Sequence, residues 1–175
     1  MRKMLTGLLL AGVLTASSLQ AAPSVQTGFS PEGTAQQLVL SVIGEARHDI
    51  RVMGYAFTSP EIAKALIAAY RRGVDVRIVV DEKANQNRAG RAALNLLANA
   101  GVNVRTVNTY KYLHDKMIVV DGVTTETGSF NFSRAANRAN SENVVVLRDM
   151  PEVARSYLAH WQSRWIQGQD WQSTY

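Results

Sequence analysis

Two periodicities alternate along the chain. Leu38, Val39, Val42 and Ile43 recur at helical spacing and predict a helix over 34–44, with Ser30 or Thr34 as its cap. A β-branched apolar run over 50–57 then reads as a strand. Ser59-Pro60-Glu61 is a helix-opening signal, and Ile62, Ala65, Leu66 and Ala69 form one apolar stripe closed by Arg71-Arg72-Gly73. The exchange repeats as a strand over 74–80, a polar loop, a helix over 88–100 stopped by Gly101, and a strand over 102–107. Further strands are predicted over 113–120, 123–127 and 142–147. A last amphipathic helix begins at Pro151 and carries Val153, Tyr157, Leu158, Trp161 and Trp165. Residues 24–33 read as a loop.

Strand, helix, strand, twice over, implies right-handed crossovers and parallel pairing, whereas Asp121-Gly122 between two apolar runs implies an antiparallel hairpin. The expected fold is therefore α/β: a mixed, largely parallel β-sheet covered by helices on both faces. The chain has 175 residues, 46% of them hydrophobic, which suits one domain over 23–175. The N-terminus is set apart from that domain. Arg2 and Lys3 precede an apolar run from Met4 to Leu14, followed by small and polar residues to Ala22, the pattern of a secretory signal over 1–22. The run is shorter than the ~20 residues that span a bilayer. The expectation is a periplasmic or secreted protein with no stable membrane association once the signal is removed.

Charge and cysteine content narrow the chemistry. The formal charge is +5, and without Arg2 and Lys3 it falls to about +3, a mild basicity suited to a polyanionic partner. With no cysteine, disulfides, thiolate nucleophiles and cysteine-held metals are excluded.

The densest chemistry lies in His114-Asp115-Lys116, continued to Asp121-Gly122 and then Gly128-Ser129-Phe130-Asn131. Alternate residues of an extended segment share a face, so His114 and Lys116 are expected side by side, and Ser129 and Asn131 repeat that spacing. Cleaving a phosphodiester requires a nucleophile, neutralisation of the non-bridging oxygens, and a proton for the departing alkoxide. His114 can attack phosphorus to form a phosphohistidine, while Lys116, Ser129 and Asn131 hold the oxygens. The other ring nitrogen then needs an orienting partner, and Glu142, opening the sixth predicted strand, is the candidate carboxylate. Asp121 falls on the opposite strand face from His114 and belongs to a turn. Neither His48 nor His160 has a lysine two residues on, and both read as structural.

These residues carry a family resemblance. His114, Lys116, Asp121, Gly128, Ser129 and Asn131 match the HKD signature, HxK(x)4D(x)6GSxN, so the chain resembles the phospholipase D superfamily, its small bacterial endonucleases in particular. The resemblance implies a phospholipase D-like fold and a metal-independent phosphodiesterase that needs no cofactor. In it one motif histidine is the covalent nucleophile and a second is the general acid, while Asp121 and Gly128 support the motif. This chain has a single HxK. A homodimer is therefore expected, in which an isologous interface brings a second His114 to the same phosphate.

Phosphodiesters occur in nucleic acids and in lipids, and the surroundings of the motif must choose between them. Lys83, Arg88, Tyr110, Lys111, Tyr112 and Arg134 interleave cations with aromatics, as suits a nucleic-acid backbone and unstacked bases. The leading expectation is a nonspecific endonuclease acting on DNA, with RNA as second candidate. A lipid-directed phosphodiesterase and a non-catalytic nucleic-acid-binding dimer are the alternatives. No histidine–carboxylate cluster has metal-ligating spacing.

Overall fold

The computed structural model describes residues 22–173, so all but the last residue of the expected signal lies outside them. In chain order the strands are β1 (Ser24–Ser30), β2 (Asp49–Gly54), β3 (Asp75–Asp81), β4 (Asn103–Val107), β5 (Lys116–Val120), β6 (Thr124–Gly128), β7 (Glu142–Arg148) and β8 (Gln169–Asp170). They form one sheet in the order β1-β7-β6-β5-β2-β3-β4-β8. The helices are α1 (Thr34–Glu45), α2 (Pro60–Arg71), α3 (Arg88–Asn99), α4 (Arg134–Arg138) and α5 (Pro151–Trp165).

Alternation along the strands divides the core between two faces. Ile50 and Val52 of β2, Val76, Ile78 and Val80 of β3, and Ile118 and Val120 of β5 pack with the apolar stripes of α1, α2 and α3. The intervening Met53, Val79, Met117 and Val119 meet Ala154 and Trp161 of α5. Trp161 is buried with its indole N–H satisfied, because Nε1 donates to the Val52 carbonyl at 2.9 Å. The helix starts follow local chemistry: Ser59 Oγ accepts from the Ile62 N–H, and Asn87 Oδ1 from the Gly90 N–H.

The mixed α/β expectation holds, with one correction in the pairing. β2 pairs parallel with β3 and β3 with β4, through the α2 and α3 crossovers, but the other five neighbouring pairs are antiparallel. Only the crossover half of the sheet is parallel; the β5–β6–β7 meander and the strand added at each edge make the rest antiparallel.

Three local expectations also change. Residues 24–30, expected as loop, form β1. Its polarity is inverted: Gly28 and Ser30 are buried, while Val25 and Phe29 point outward. A Cβ on Gly28 would lie 2.7 Å from the Thr34 carbonyl oxygen, so α1 sits too close for a larger residue. Strand β5 begins at Lys116 instead of 113, which leaves His114 just ahead of the ladder. The short β8, which caps the β4 edge, and the single turn of α4 carry too few residues to show a period.

The carboxyl ends of β2, β3 and β4 lie at one edge of the sheet. Antiparallel β5 enters there with Lys116 opposite Gly54, β6 ends there at Gly128, and β7 starts there at Glu142. Open α/β sheets bind ligands at such an edge.

Candidate functional site

His114 is exposed, whereas Lys116 is only 7% exposed. Lys116 Nζ lies 2.9 Å from His114 Nδ1 and 3.3 Å from Nε2, and donates to the His114 carbonyl at 2.6 Å. The expected adjacency is present, but a folded-back lysine produces it, since His114 precedes the strand. A ring nitrogen with a free lone pair is what an ammonium can donate to and what can attack phosphorus. Desolvation lowers the Lys116 pKa, opposed by the Asp115 and Glu142 carboxylates.

Ser129 Oγ donates to Glu142 Oε2 at 2.6 Å and accepts from the Asn143 N–H at 3.0 Å. Glu142 Oε1 accepts from Asn140 Nδ2 at 2.9 Å. Within the single chain the Glu142 carboxylate binds Ser129 and Asn140 and makes no hydrogen bond to its own His114 imidazole. Glu142 opens β7 beside the end of β6, which puts Ser129 in reach. It acts on the basic half of the site through its charge on Lys116. The side chain of Asn131 is half-buried, and its Oδ1 is a buried oxygen without a protein partner. Gly128 tolerates no side chain, because a Cβ there would sit 2.1 Å from the Asn143 carbonyl oxygen.

Asp121 lies at the far end of β5. Its carboxylate accepts the backbone N–H groups of Arg47, His48 and Asp49 at 2.8–3.0 Å. Burial works against the charge, but these donors outweigh it and hold the carboxyl below its ordinary range. Asp121 and Gly122 both adopt positive φ, 52° and 67°, as a tight hairpin turn requires.

The expected substrate contacts separate into two groups. Lys83, in the 3₁₀ turn after β3, and Arg88, Lys111, Tyr112 and Arg134 are exposed. Tyr110 is not a free stacking surface: it packs into the α5 cluster with the Arg164 guanidinium 4.9 Å above its ring. The Lys111 ammonium lies 5.5 Å over the Tyr112 ring.

Sequence reasoning missed Tyr55 and two buried polar residues. The Tyr55 ring, just past β2, is 4.7 Å from the His114 ring, and Lys116 Nζ lies 5.6 Å from its centroid. The signal was available in its place at the carboxyl end of a parallel strand. Asn85 binds the Phe57 N–H and the Tyr55 and Asp81 carbonyls, while Asp81 accepts the Leu113 N–H at 2.8 Å. These bonds tie the ends of β2 and β3 to the segment that carries His114. Among the described residues no three His, Asp or Glu side chains gather as a group able to hold a metal ion.

The chain is similar in sequence and fold to known proteins. Residues 39–165 match the family model described as "Cardiolipin synthase, PLD-like domain". A phospholipase D of Rickettsia conorii is 34% identical over 140 residues, covering 80% of this chain and 68% of that protein. The human mitochondrial cardiolipin hydrolase is 30% identical over 164 residues, covering 89% of this chain and 64% of that protein. Among solved structures, the phospholipase D family member Nuc from Salmonella typhimurium superposes with a TM-score of 0.86 at 56% identity, over 87% of this chain and all of that one. NucT from Helicobacter pylori shares the fold at a TM-score of 0.76 and 22% identity, over 86% of this chain and all of that one. With His114 and Lys116 side by side at one sheet edge and these likenesses along most of its length, the chain belongs to the phospholipase D superfamily of phosphodiesterases.

Proposed function

We propose that this protein is an exported, nonspecific endonuclease that hydrolyses DNA, with RNA as a second substrate, through a phosphohistidine formed on His114. The observation that carries the reading is the exposed His114 imidazole with the Lys116 ammonium 2.9 Å away, preceded in the same segment by exposed Lys111 and Tyr112. The 56% identity with Nuc, over all of that protein, supports a place among the superfamily's small bacterial endonucleases. In the first displacement a His114 ring nitrogen bonds to phosphorus as the P–O bond to the departing strand breaks. Lys116, Ser129 and Asn131 balance the charge that builds on the non-bridging oxygens. The leaving alkoxide takes a proton from the His114 of a second copy across a two-fold axis, and water then displaces the histidine. Glu142 anchors Ser129 and keeps negative charge near Lys116. No step is assigned to a metal ion, and Asp121 and Gly128 serve the scaffold.

A second reading has support in the relatives' names, phospholipase D and cardiolipin hydrolase, which point to lipid phosphodiesters. Among the described residues no helix is long and apolar enough to cross a membrane. Plasmid DNA and phosphatidylcholine vesicles, each incubated with wild-type protein and His114→Ala in excess chelator, separate the readings. The nuclease reading expects plasmid nicking that His114→Ala abolishes. Vesicle hydrolysis without nicking would overturn it in favour of the lipid reading, and loss of nicking on chelation alone would remove the metal-free mechanism. Full turnover from a verified monomer would defeat the composite site.

A further inference from the structure

His114 is the exposed member of an irregular three-residue segment ahead of β5 whose other two members are held. On one side, the Leu113 N–H is bound by the buried Asp81 carboxylate at 2.8 Å. On the other, Asp115 Oδ1 lies 3.0 Å from Nε2 of His160, on α5. Asp115 and His160, with Ser156 and Tyr157, line a shallow surface cavity. We infer that His160 is a positioning residue for the phosphodiesterase site: through Asp115 it latches the His114–Lys116 segment onto α5, opposite the fixed anchor at Asp81.

Three observations support this role over a purely structural one. The pair is more than one-third exposed on both sides, so as an ion pair it contributes little to stability. It sits between the two groups whose separation matters most, since Asp115 is the residue joining His114 to Lys116. β5 begins only at Lys116, so sheet hydrogen bonding does not hold His114 and Asp115, and the side-chain contacts at 113 and 115 take its place. The Asp115 carboxylate also favours the charged form of the desolvated Lys116 ammonium. A latch that sets where this carboxylate lies therefore acts on both HKD residues. α5 itself is fastened elsewhere, by Trp161 to the Val52 carbonyl and by Ala154 and Trp161 buried against Met53, Met117 and Val119, so losing His160 leaves the helix docked.

The inference rests on the phosphodiesterase reading of the site, and its test keeps the two apart. His160→Ala, His160→Gln and Asp115→Asn are compared with wild type in kcat and KM on plasmid DNA and on bis(p-nitrophenyl) phosphate. The His114 imidazole is followed by ¹⁵N NMR without substrate. A misplacement of about 1 Å can cost 10²-fold in rate. The expected result for His160→Ala is a 10- to 100-fold lower kcat with KM within about twofold, and shifted or broadened His114 ring resonances. His160→Gln, whose amide reaches the Nε2 position, should recover most of the loss. Combining His160→Ala with Asp115→Asn should add little to the larger single effect. Unchanged His114 resonances, or a lower melting temperature with unchanged kcat, would overturn the latch. If wild type cleaves neither substrate, the phosphodiesterase reading fails, and the resonances still decide whether His160 positions His114.

Discussion

At the Asp121 end of β5 the carboxylate accepts three backbone N–H groups, and the turn residues supply the positive φ that the hairpin needs. At the Lys116 end, five residues away, an ammonium is largely withdrawn from water, its nearest partners being a histidine and that histidine's carbonyl. One end of the strand satisfies its charge with backbone. The other leaves its charge in want of an anion. A group already satisfied has nothing to offer a substrate, while a desolvated cation beside an exposed nucleophile binds a phosphate more strongly than it binds water. The HKD signature spans both cases, so membership in a motif does not by itself assign a chemical role.

The sharpest way to break the contrast is at the nucleophile. His114→Ala is expected to lower phosphodiester turnover at least 10³-fold while leaving the thermal unfolding midpoint unchanged, because an exposed side chain is removed. Initial rates and a thermal melt on one preparation check both halves. Next is Lys116→Met, which should cost about 10²- to 10³-fold in kcat without loss of stability, because it relieves the desolvation of the ammonium. A fall in urea midpoint for this variant would mean that Lys116 belongs with Asp121 as a scaffold residue.

Glu126 sharpens the comparison from inside the core. It lies on β6 between Ile118 and Val146, wholly buried and with both carboxylate oxygens unpartnered, and burial pushes its pKa from the ordinary 4.5 up to about 8. Below about pH 4.5 the group is neutral in both folded and unfolded chains. Between there and pH 8 the unfolded chain releases a proton that the folded chain keeps, so stability is lost as pH rises. Glu126→Gln should match wild type at pH 4 and exceed it at pH 8 by a few kcal/mol, following ~1.4 kcal/mol per pH unit. Urea unfolding at pH 4, 6 and 8 is the measurement; a constant difference would place the acid in a wetter site.

The smallest expected effect is at the satisfied end. Asp121→Ala should lose about 1.5–3 kcal/mol of unfolding free energy, as hydrogen bonds to a charged group are lost, with kcat held within about threefold. The wild-type contribution is present above the ordinary carboxylate pKa and disappears as pH falls through the lowered folded value. The gap between Asp121→Ala and wild type should therefore narrow on acidification. A hundredfold drop in kcat with intact stability would move Asp121 into the site.

What the sequence disclosed follows the strength of each physical signal. The α2 and α3 crossovers were legible because Ser59-Pro60 and Gly101 punctuate regular apolar stripes. Residues His114 and Lys116 stood out because the signature is dense in chemistry. β1 was hidden because its large apolar residues face outward while glycine and serine face the core, the reverse of an amphipathic strand. Glu126 was hidden for a related reason: Thr-Thr-Glu-Thr reads as solvent-facing, yet the strand is central and the acid is neutral in place. The Glu142–Ser129 bond and the Asp81–Leu113 anchor depend on cross-strand proximity that no local period encodes.

The inverted edge strand also bears on how the chain reaches its native state. β1 stands among the first described residues, yet its partner is β7, and Arg148 Nε finds Gln26 across 122 positions of sequence. Pairing so distant carries a large loop-closure entropy and belongs late in folding. Until β7 is in place, Val25 and Phe29 lie on a strand with no neighbour, adhesive to any other unpaired edge. The slow and hazardous interval for this molecule is thus the wait of its first strand for its seventh, and kinetic partitioning between closure and aggregation should be most sensitive to substitutions at Val25 and Phe29.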